Sequence, residues 1–231
     1  MALTARQTIF AEGARGSCSE MLISHFDLRK NKSEQTYGLG IKEVWEIPQE
    51  RHQPGTVIHT LGFPLQASIT DRTFGGAFLY HQEPNLVLAG LVIGLDYRNP
   101  YIHPYKEFQL WKTHPDIRKH LDGGTCLSYG ARVLNEGGFH AIPKLSFPGG
   151  VLIGCGAGFL NAVKIKGTHN AMKSGMIAAD CIFELIEKSK GILVGDTGQM
   201  DLEESNQEVY SYEKEMNESW VYKELYPGMF I

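Results

Sequence analysis

The stretch PGGVLIGCGAGFLNAVKIKGTHNAMKSGMIAAD, Pro148 to Asp180, decides the fold because it joins a strand, a glycine-rich turn and a long helix. Gly154, Gly156 and Gly158 lack a Cβ, so the backbone N–H groups of this turn can come close to an anionic or planar ligand. We expect the helix to run from about Thr168 to Lys188, with its positive end directed back toward the turn. For the glycines alone, the alternative is a tight strand-to-helix connection that binds nothing.

The expected helix also carries small residues at spacings of three and four, which places them on one face. Such a face lets another backbone or a cofactor approach closely. Strand, turn, helix start and small face together predict a cofactor cradle. The small residues are Ala171, Ser174, Gly175, Ala178 and Ala179.

A second turn of the same kind lies near the amino terminus, in the segment TIFAEGARGSCSE. We expect a strand from Gln7 to Ala11, a turn at Glu12 and Gly13, and a helix from Ser17 to Phe26. The sequence therefore predicts two glycine turns, each at the end of a strand and each followed by a helix.

These two turns resemble fingerprints of flavin monooxygenases and reductases. The segment around Glu12-Gly13 resembles their Asp-Gly fingerprint, and VLIGCGAG resembles their Gly-Asp fingerprint, with Cys155 where an acid normally stands. We interpret Cys155 as a small residue that fills the turn rather than as a redox group. The third fingerprint, a GxGxxG that binds the pyrophosphate of a dinucleotide, does not occur in the sequence.

Composition limits the function classes. The chain has 231 residues, enough for one large or two modest domains. Its 22 Lys and Arg against 26 Asp and Glu give a net charge of −4, which argues against a nucleic-acid partner. The four cysteines form no CxxC pair, so we expect neither a metal or iron–sulfur site built from this chain alone nor a small disulfide scaffold.

The middle of the chain is rich in strand-forming residues with a period near two. It predicts a mostly antiparallel sheet, followed by a helical segment, PYKEFQLWKTHPDIRKHL, that Pro115 interrupts, and by a short strand in SYGARVLNEGG. The last forty residues, from Lys190, are polar and acidic at first and predict a peripheral helix. The expected strands of the sheet are Thr36–Ile47, Thr56–Leu61, Gly76–His81 and Leu86–Tyr97.

Several longer motifs resemble the electron transfer flavoprotein–ubiquinone oxidoreductase family: ARQTIFAEG, QTYGLGIKEVWEI, FGGAFLYH, NPYIHPYKEFQLWKTHP, YGARVLNEGGFHAIPKLSFPGGVLIGC and KIKGTHNAMKSG. The resemblance runs from residue 5 to about 190 and returns at SWVYKELYP. It implies an enzyme that passes electrons from reduced electron transfer flavoprotein to ubiquinone through FAD and a [4Fe-4S] cluster. By this resemblance the enzyme lies on the membrane surface, at the matrix side of the mitochondrial inner membrane or, alternatively, at a bacterial cytoplasmic membrane.

The resemblance also implies site residues. The pair Gly75 and Gly76 in FGGAFLYH matches the glycines whose backbone holds the quinone, although a β-bulge or hairpin kink is the alternative reading of the pair. An apolar entrance would be lined by Phe63, Pro64, Leu65, Phe74 and Phe78. The FAD-binding positions would be Glu12, Gly13, Gly154, Cys155, Gly156, Gly158, Lys166, Gly167 and Thr168.

No catalytic side chain is expected, because electron transfer depends on distance and on tuned potentials. His169 and Lys173 are placed on the helix surface. The family's dinucleotide fingerprint and its four-cysteine cluster segment both lie outside this sequence, so we expect an internal fragment or a shortened form. The alternatives to the enzyme are an inactive remnant that only binds quinone or a protein partner, and a flavin reductase acting on isoprenoid lipids, against which the long motifs speak.

The expected fold is α/β in the α+β sense. A partial, discontinuous FAD-binding domain would comprise residues 1–25 and 141–190. An inserted antiparallel-sheet ubiquinone-binding domain would comprise residues 26–140, and an acidic peripheral tail would follow over residues 191–231.

Overall fold

Two structural units make up the chain, one formed by Met1–Gln35 with Asn135–Ile231 and the other by Thr36–Leu134. The computed structural model describes residues 5–66, 73–190 and 207–227. Residues 26–35 belong to the first unit rather than to the inserted one, because Leu28 is buried in that unit's core and Gln35 Oε1 accepts a hydrogen bond from the Gly137 backbone at 2.7 Å. The expected boundaries after residues 25 and 140 therefore differ from those of the structure.

The inserted unit, Thr36–Leu134, is built on a five-stranded sheet in the order β3-β4-β5-β2-β6. Strands β2, β3, β4 and β5 pair antiparallel, as their alternating sequences predicted. Two helices follow β5, and Pro115 begins the second, where its missing N–H costs no hydrogen bond. The elements are β2 Tyr37–Glu46, β3 Val57–Leu61, β4 Gly75–Gln82, β5 Leu86–Gly94, α2 Pro104–Lys112, α3 Pro115–Leu121 and β6 Thr125–Asn135, with a 3-10 turn at Gln49–Arg51.

The core of this unit lies on one face of the sheet. Along β4, Ala77 and Leu79 are buried while Phe78 and Tyr80 on the opposite face are half-buried. Phe108 and Trp111 of α2 are fully buried, and side chains of this size stabilise by roughly 1.5–3 kcal/mol each when removed from water. A buried ion pair between Lys112 and Glu43, at 2.6 Å, further fixes α2 on β2.

The first unit contains a three-stranded sheet in the order β1-β8-β7. Strand β1 pairs in parallel with β8, with Thr8 opposite Gly150 and Phe10 opposite Leu152. Helix α4 begins at Thr168, the position that the sequence predicted. The elements are β1 Thr8–Phe10, α1 Ser17–His25, β7 Ser146–Phe147, β8 Gly150–Leu152, α4 Thr168–Lys190, α5 Tyr210–Glu218 and α6 Trp220–Leu225, with 3-10 turns at Phe139–Ala141 and Gly154–Ala157.

The acidic tail is not peripheral over residues 209–225, and the prediction was wrong there. Helices α5 and α6 contribute buried side chains to the core of the first unit, and the hydroxyl of Tyr212 donates to the Leu152 carbonyl at 3.1 Å. The apolar residues recur at helical spacing, but the abundant Glu and Lys residues between them dominate the composition. Residues 191–206 lie outside the described residues. The buried tail residues are Val209, Tyr212, Met216, Val221 and Leu225.

Candidate functional site

The two glycine turns predicted from the sequence come together in the first unit. Strands β1 and β8 are parallel neighbours, so the turns that follow them lie at the same edge of the sheet. A Cβ added to Gly156 would lie 3.4 Å from the carbonyl oxygen of Gly13 and 4.0 Å from Ser19 Oγ. The carboxyl ends of parallel strands are the usual place for a ligand in such sheets.

The side chain of Glu12 is directed at the start of α1. Its carboxylate accepts hydrogen bonds from the Ser19 backbone at 2.6 Å, from Ser19 Oγ at 2.7 Å and from the Cys18 backbone at 3.3 Å. The Ser19 hydroxyl, then the Ser19 and Cys18 backbone N–H groups, lower the pKa of this carboxyl. Glu12 thereby satisfies N–H groups that the first turn of a helix leaves without partners. The carboxylate of Glu12 therefore hydrogen-bonds the start of α1. In the same turn, the backbone of Gly13 is the part that lies close to Gly156.

The second turn is a 3-10 turn held against the first turns of α4. Gly154 and Gly158 have φ angles of 60° and 83°, a region that favours glycine. The Gly154 backbone donates to Ser174 Oγ at 3.0 Å, and that hydroxyl donates to the Ala171 carbonyl at 2.7 Å. The small-residue face of α4 therefore accommodates this backbone, although Ala179, which the sequence placed on the same face, is exposed. Cys155 is half-buried within the turn and forms no disulfide.

The start of α4 shows what its residues can offer a ligand. At Gly167 a Cβ would lie 2.7 Å from Leu160 Cδ1, the end of a side chain that would have to turn aside. Asn170 is fully buried and donates to the Phe159 carbonyl at 2.9 Å, while its Oδ1 is buried with no hydrogen-bond partner. Converging glycine turns, a positive helix end and an unpaired buried acceptor fit a flavin, which has an anionic edge and an N–H donor.

Both glycines of the predicted quinone pair are required by close packing in the inserted unit. A Cβ on Gly75 would lie 2.5 Å from Leu65 Cδ1 and would also strike the Val92 carbonyl oxygen, while one on Gly76 would lie 2.9 Å from the Thr60 carbonyl oxygen. Strand β4 pairs with β5 in unbroken register from Gly75 to Gln82. The alternative reading of the pair as a β-bulge is therefore wrong.

The strand register also shows where the peptide groups of Gly75 point. The carbonyl of Phe74 accepts from the Gly94 backbone at 2.9 Å, so Phe74 and Gly76 face β5. Neighbouring residues of a strand direct their polar groups to opposite sides, so Gly75 faces β3. Strand β3 ends at Leu61, which stands opposite Gly76, one residue short of Gly75. The register continues to Gly62, so the N–H and C=O of Gly75 face the turn residue Gly62 that directly follows β3.

Only some of the residues expected to line the apolar entrance are exposed at the surface. Phe63 and Phe74 are exposed, at 47% and 60%, whereas Pro64 and Leu65 are buried. Phe78 lies on the sheet face over Gly90, where a Cβ would overlap its ring, and stacks on Tyr80 with ring centroids 4.9 Å apart. Residues 67–72, between Leu65 and Phe74, lie outside the described residues.

Sequence reasoning missed one charged residue at the start of α4. Glu224 of α6 accepts from His169 Nε2 at 2.9 Å and from Asn161 Nδ2 at 3.1 Å, and Lys164 lies 3.1 Å from its second oxygen. His169 was placed on the helix surface; it is partly exposed and stacks on Trp220. No motif points to Glu224, because its partners lie more than fifty residues away along the chain.

Two features of the described residues bear on membranes and metal ions. Within residues 5–66, 73–190 and 207–227, no helix combines the length and the apolar character needed to cross a bilayer. Over the same ranges, no three His, Cys, Asp or Glu side chains are grouped so as to hold a metal ion.

Comparison with solved structures reveals the type of fold. A geranylgeranyl bacteriochlorophyll reductase-like protein from Thermoplasma acidophilum superposes with a TM-score of 0.62 at 18% identity, over 93% of this chain and 46% of that one. The flavin-dependent brominase Bmp2 superposes with a TM-score of 0.54 at 16% identity, over 92% of this chain and 48% of that one. The mixed fold with an antiparallel sheet, which the sequence predicted, is thus shared with these two proteins.

Comparison with protein sequences reveals the family. The family model described as "ETF-QO, ubiquinone-binding" matches residues 37–134. The mitochondrial electron transfer flavoprotein-ubiquinone oxidoreductases of Dictyostelium discoideum and Homo sapiens are 52% and 51% identical over 97% of this chain, which covers 36% and 34% of their lengths. The chain thus spans about a third of the length of these curated relatives. On this evidence it belongs to the electron transfer flavoprotein–ubiquinone oxidoreductase family.

Proposed function

We propose that this chain is part of an oxidoreductase that passes electrons from reduced electron transfer flavoprotein to ubiquinone. The observation that carries the proposal is the identity of 51–52% over 97% of the chain to enzymes named for this activity. The matrix side of the mitochondrial inner membrane is the proposed location, since the relatives are named mitochondrial. There the reaction would link fatty-acid and amino-acid oxidation to the respiratory chain.

The first unit would hold the flavin end of FAD. The backbone of Gly13 and of the turn from Gly154 to Gly158 would lie along the ribityl chain, and Gly167 and Thr168 at the start of α4 would face the ring. Bound FAD would supply the electron-carrying group. The positive end of α4 favours negative charge at this position, typically by about 0.3–1 kcal/mol at exposed sites.

The inserted unit would hold ubiquinone. The peptide groups of Gly75, which face the turn at Gly62 at the end of β3, would hydrogen-bond a quinone oxygen, and a donated N–H would stabilise the negative charge that this oxygen gains on reduction. Phe63 and Phe74 present exposed apolar surface nearby, suited to the isoprenoid tail and to the membrane surface that supplies it.

The cysteines of this chain do not fit a [4Fe-4S] cluster. Cys18 and Cys126 are exposed, Cys181 is buried, and the described residues contain no cluster of metal-ligating side chains. Ligands for a cluster would have to come from outside this sequence.

The proposal is tested by titrating the purified chain with a soluble short-chain ubiquinone. Phe74→Ala should weaken binding about fivefold, because about 1 kcal/mol of apolar contact is lost. Phe183→Ala removes an equally exposed phenylalanine from α4 and should leave binding unchanged. A wild-type chain that binds no quinone would contradict the quinone site.

Flavin content separates the enzyme from the alternative of a remnant that only binds quinone or a protein partner. Gly156→Ala should weaken FAD retention without loss of stability, since its Cβ makes an ordinary contact 3.4 Å from the Gly13 carbonyl oxygen but covers turn backbone that the flavin chain would approach. Gly175→Ala, whose Cβ would lie 3.5 Å from Ile153 Cδ1, is the matched control. A chain that binds quinone and no FAD would support the remnant.

A further inference from the structure

A single carboxylate on α6 holds the loop that leads into α4. Glu224 Oε1 accepts from Asn161 and His169, and Oε2 pairs with Lys164. The loop is also closed by its own backbone, since Asn161 and Lys166 exchange N–H···O bonds of 2.8 and 3.1 Å. One side chain from the carboxyl-terminal helix thus fixes both the loop and the first turn of α4.

The contacts of Glu224 are those of a carboxylate that stays ionised. Burial raises its pKa, but hydrogen bonds from His169, Lys164 and Asn161 outweigh this and lower the pKa to about 2. The carboxylate is mostly shielded from solvent, at 17% exposed. Its negative charge is therefore present at neutral pH and weakly screened by water.

The positive charge at the start of α4 is consequently reduced. The positive end of α4 and the Lys164 ammonium favour an anion at this position, as does His169 if it is protonated. The carboxylate of Glu224 lies within hydrogen-bonding distance of both side chains and opposes this preference for an anion. The His169 ring lies parallel to the Trp220 ring, at an interplanar angle of 6° and 5.6 Å between centroids, which limits how far the imidazole can turn from the carboxylate.

We propose that Glu224 is a positioning residue that fixes the start of α4 toward the flavin and, through its charge, sets how strongly the site prefers reduced over oxidised flavin. This inference rests on the flavin site of the proposed function. Reduced flavin carries negative charge at the edge that faces the helix end, so a nearby carboxylate weakens the binding of the reduced form more than that of the oxidised form.

The test is the ratio of the dissociation constants of oxidised and reduced FAD, measured anaerobically on the purified chain. Glu224→Gln keeps the shape and the acceptor oxygen but removes the charge, and should raise the ratio about three- to tenfold. Lys164→Gln removes a positive charge from a largely exposed side chain and should lower the ratio. Glu184→Gln, at an exposed ion pair far along α4, is the control and should leave the ratio unchanged.

The possible outcomes distinguish a failure of the inference from a failure of the proposed function. If Glu224→Gln weakens both forms of FAD equally, or Lys164→Gln leaves the ratio unchanged, Glu224 has only a structural role and the inference is overturned while the flavin site stands. A wild-type chain that binds neither form of FAD would overturn the flavin site and the inference with it. Faster hydrogen exchange of the amides of residues 161–168 in Glu224→Gln would support the positioning role without any flavin.

Discussion

Single glycines, more than charged side chains, shape both candidate sites. Gly156 lies where the two turns meet, and Gly75 permits the approach of β4 to Leu65 and β5. The sequence singled out these glycines as special positions, but it did not predict that close packing requires Gly75 and Gly76. A glycine in a strand is equally consistent with a bulge or with close packing, and only the register from Gly75 to Gln82 decides between them.

Gly75→Ala should destabilise the inserted unit by roughly 1–3 kcal/mol, because the new Cβ meets the Val92 carbonyl and Leu65 in a packed core. Gly130→Ala is the control, since a Cβ at Gly130 has no neighbour within 4 Å. Urea unfolding followed by the fluorescence of Trp45 and Trp111 measures both. Equal stability of the two variants would show that Gly75 is not packed as described.

At the scale of elements, helix starts were easier to predict than long-range contacts. Gly167 followed by Thr168 marked the start of α4, and Pro115 marked the interruption between α2 and α3, because these signals are local. Burial of α5 and the role of Glu224 were not predictable, since both depend on which distant segments pack together. A polar segment can carry a buried stripe, and composition alone does not reveal it.

Two histidines join β4 to α3 and make the inserted unit sensitive to acid. His81 Nδ1 accepts from the Gln53 backbone at 3.2 Å, which leaves its Nε2 to donate to His120 Nδ1 at 3.0 Å. Burial, then the neighbouring His120 and His52, lowers the pKa of His81 to about 4, and burial also lowers the pKa of His120. The folded unit thus holds both rings neutral.

Between pH 6.5 and 4 the unfolded chain binds a proton at His81 that the folded chain does not, so stability should fall as pH falls through this window. The expected loss is up to about 3 kcal/mol, at about 1.4 kcal/mol per pH unit. His81→Gln should flatten this dependence, whereas His103→Gln, at an exposed position, should not. Urea unfolding at a series of pH values in a Trp220→Phe background reports on the inserted unit alone. An unchanged slope in His81→Gln would refute the assignment.

For the whole molecule, the division into two units has a direct test. The inserted unit has its own buried core, centred on Leu79, Leu91 and Trp111, and its backbone is continuous from Thr36 to Leu134. A fragment of residues 36–134 should therefore fold alone, with dispersed amide resonances and cooperative unfolding. The same fragment with Trp111→Ala should lose roughly 3–5 kcal/mol and unfold. A disordered wild-type fragment would contradict this prediction.

The parallel pairing of β1 with β8 also has a consequence for synthesis. Thr8 emerges early from the ribosome but finds its partner only when Gly150 has followed, and α5 and α6 complete the same core later still. All strands of the inserted unit's sheet lie in one continuous segment of the chain. This unit can therefore fold during translation while β1 is still unpaired. A chaperone that binds apolar segments would then meet β1 exposed until β8 has been made, and slow codons after residue 134 would lengthen that exposure.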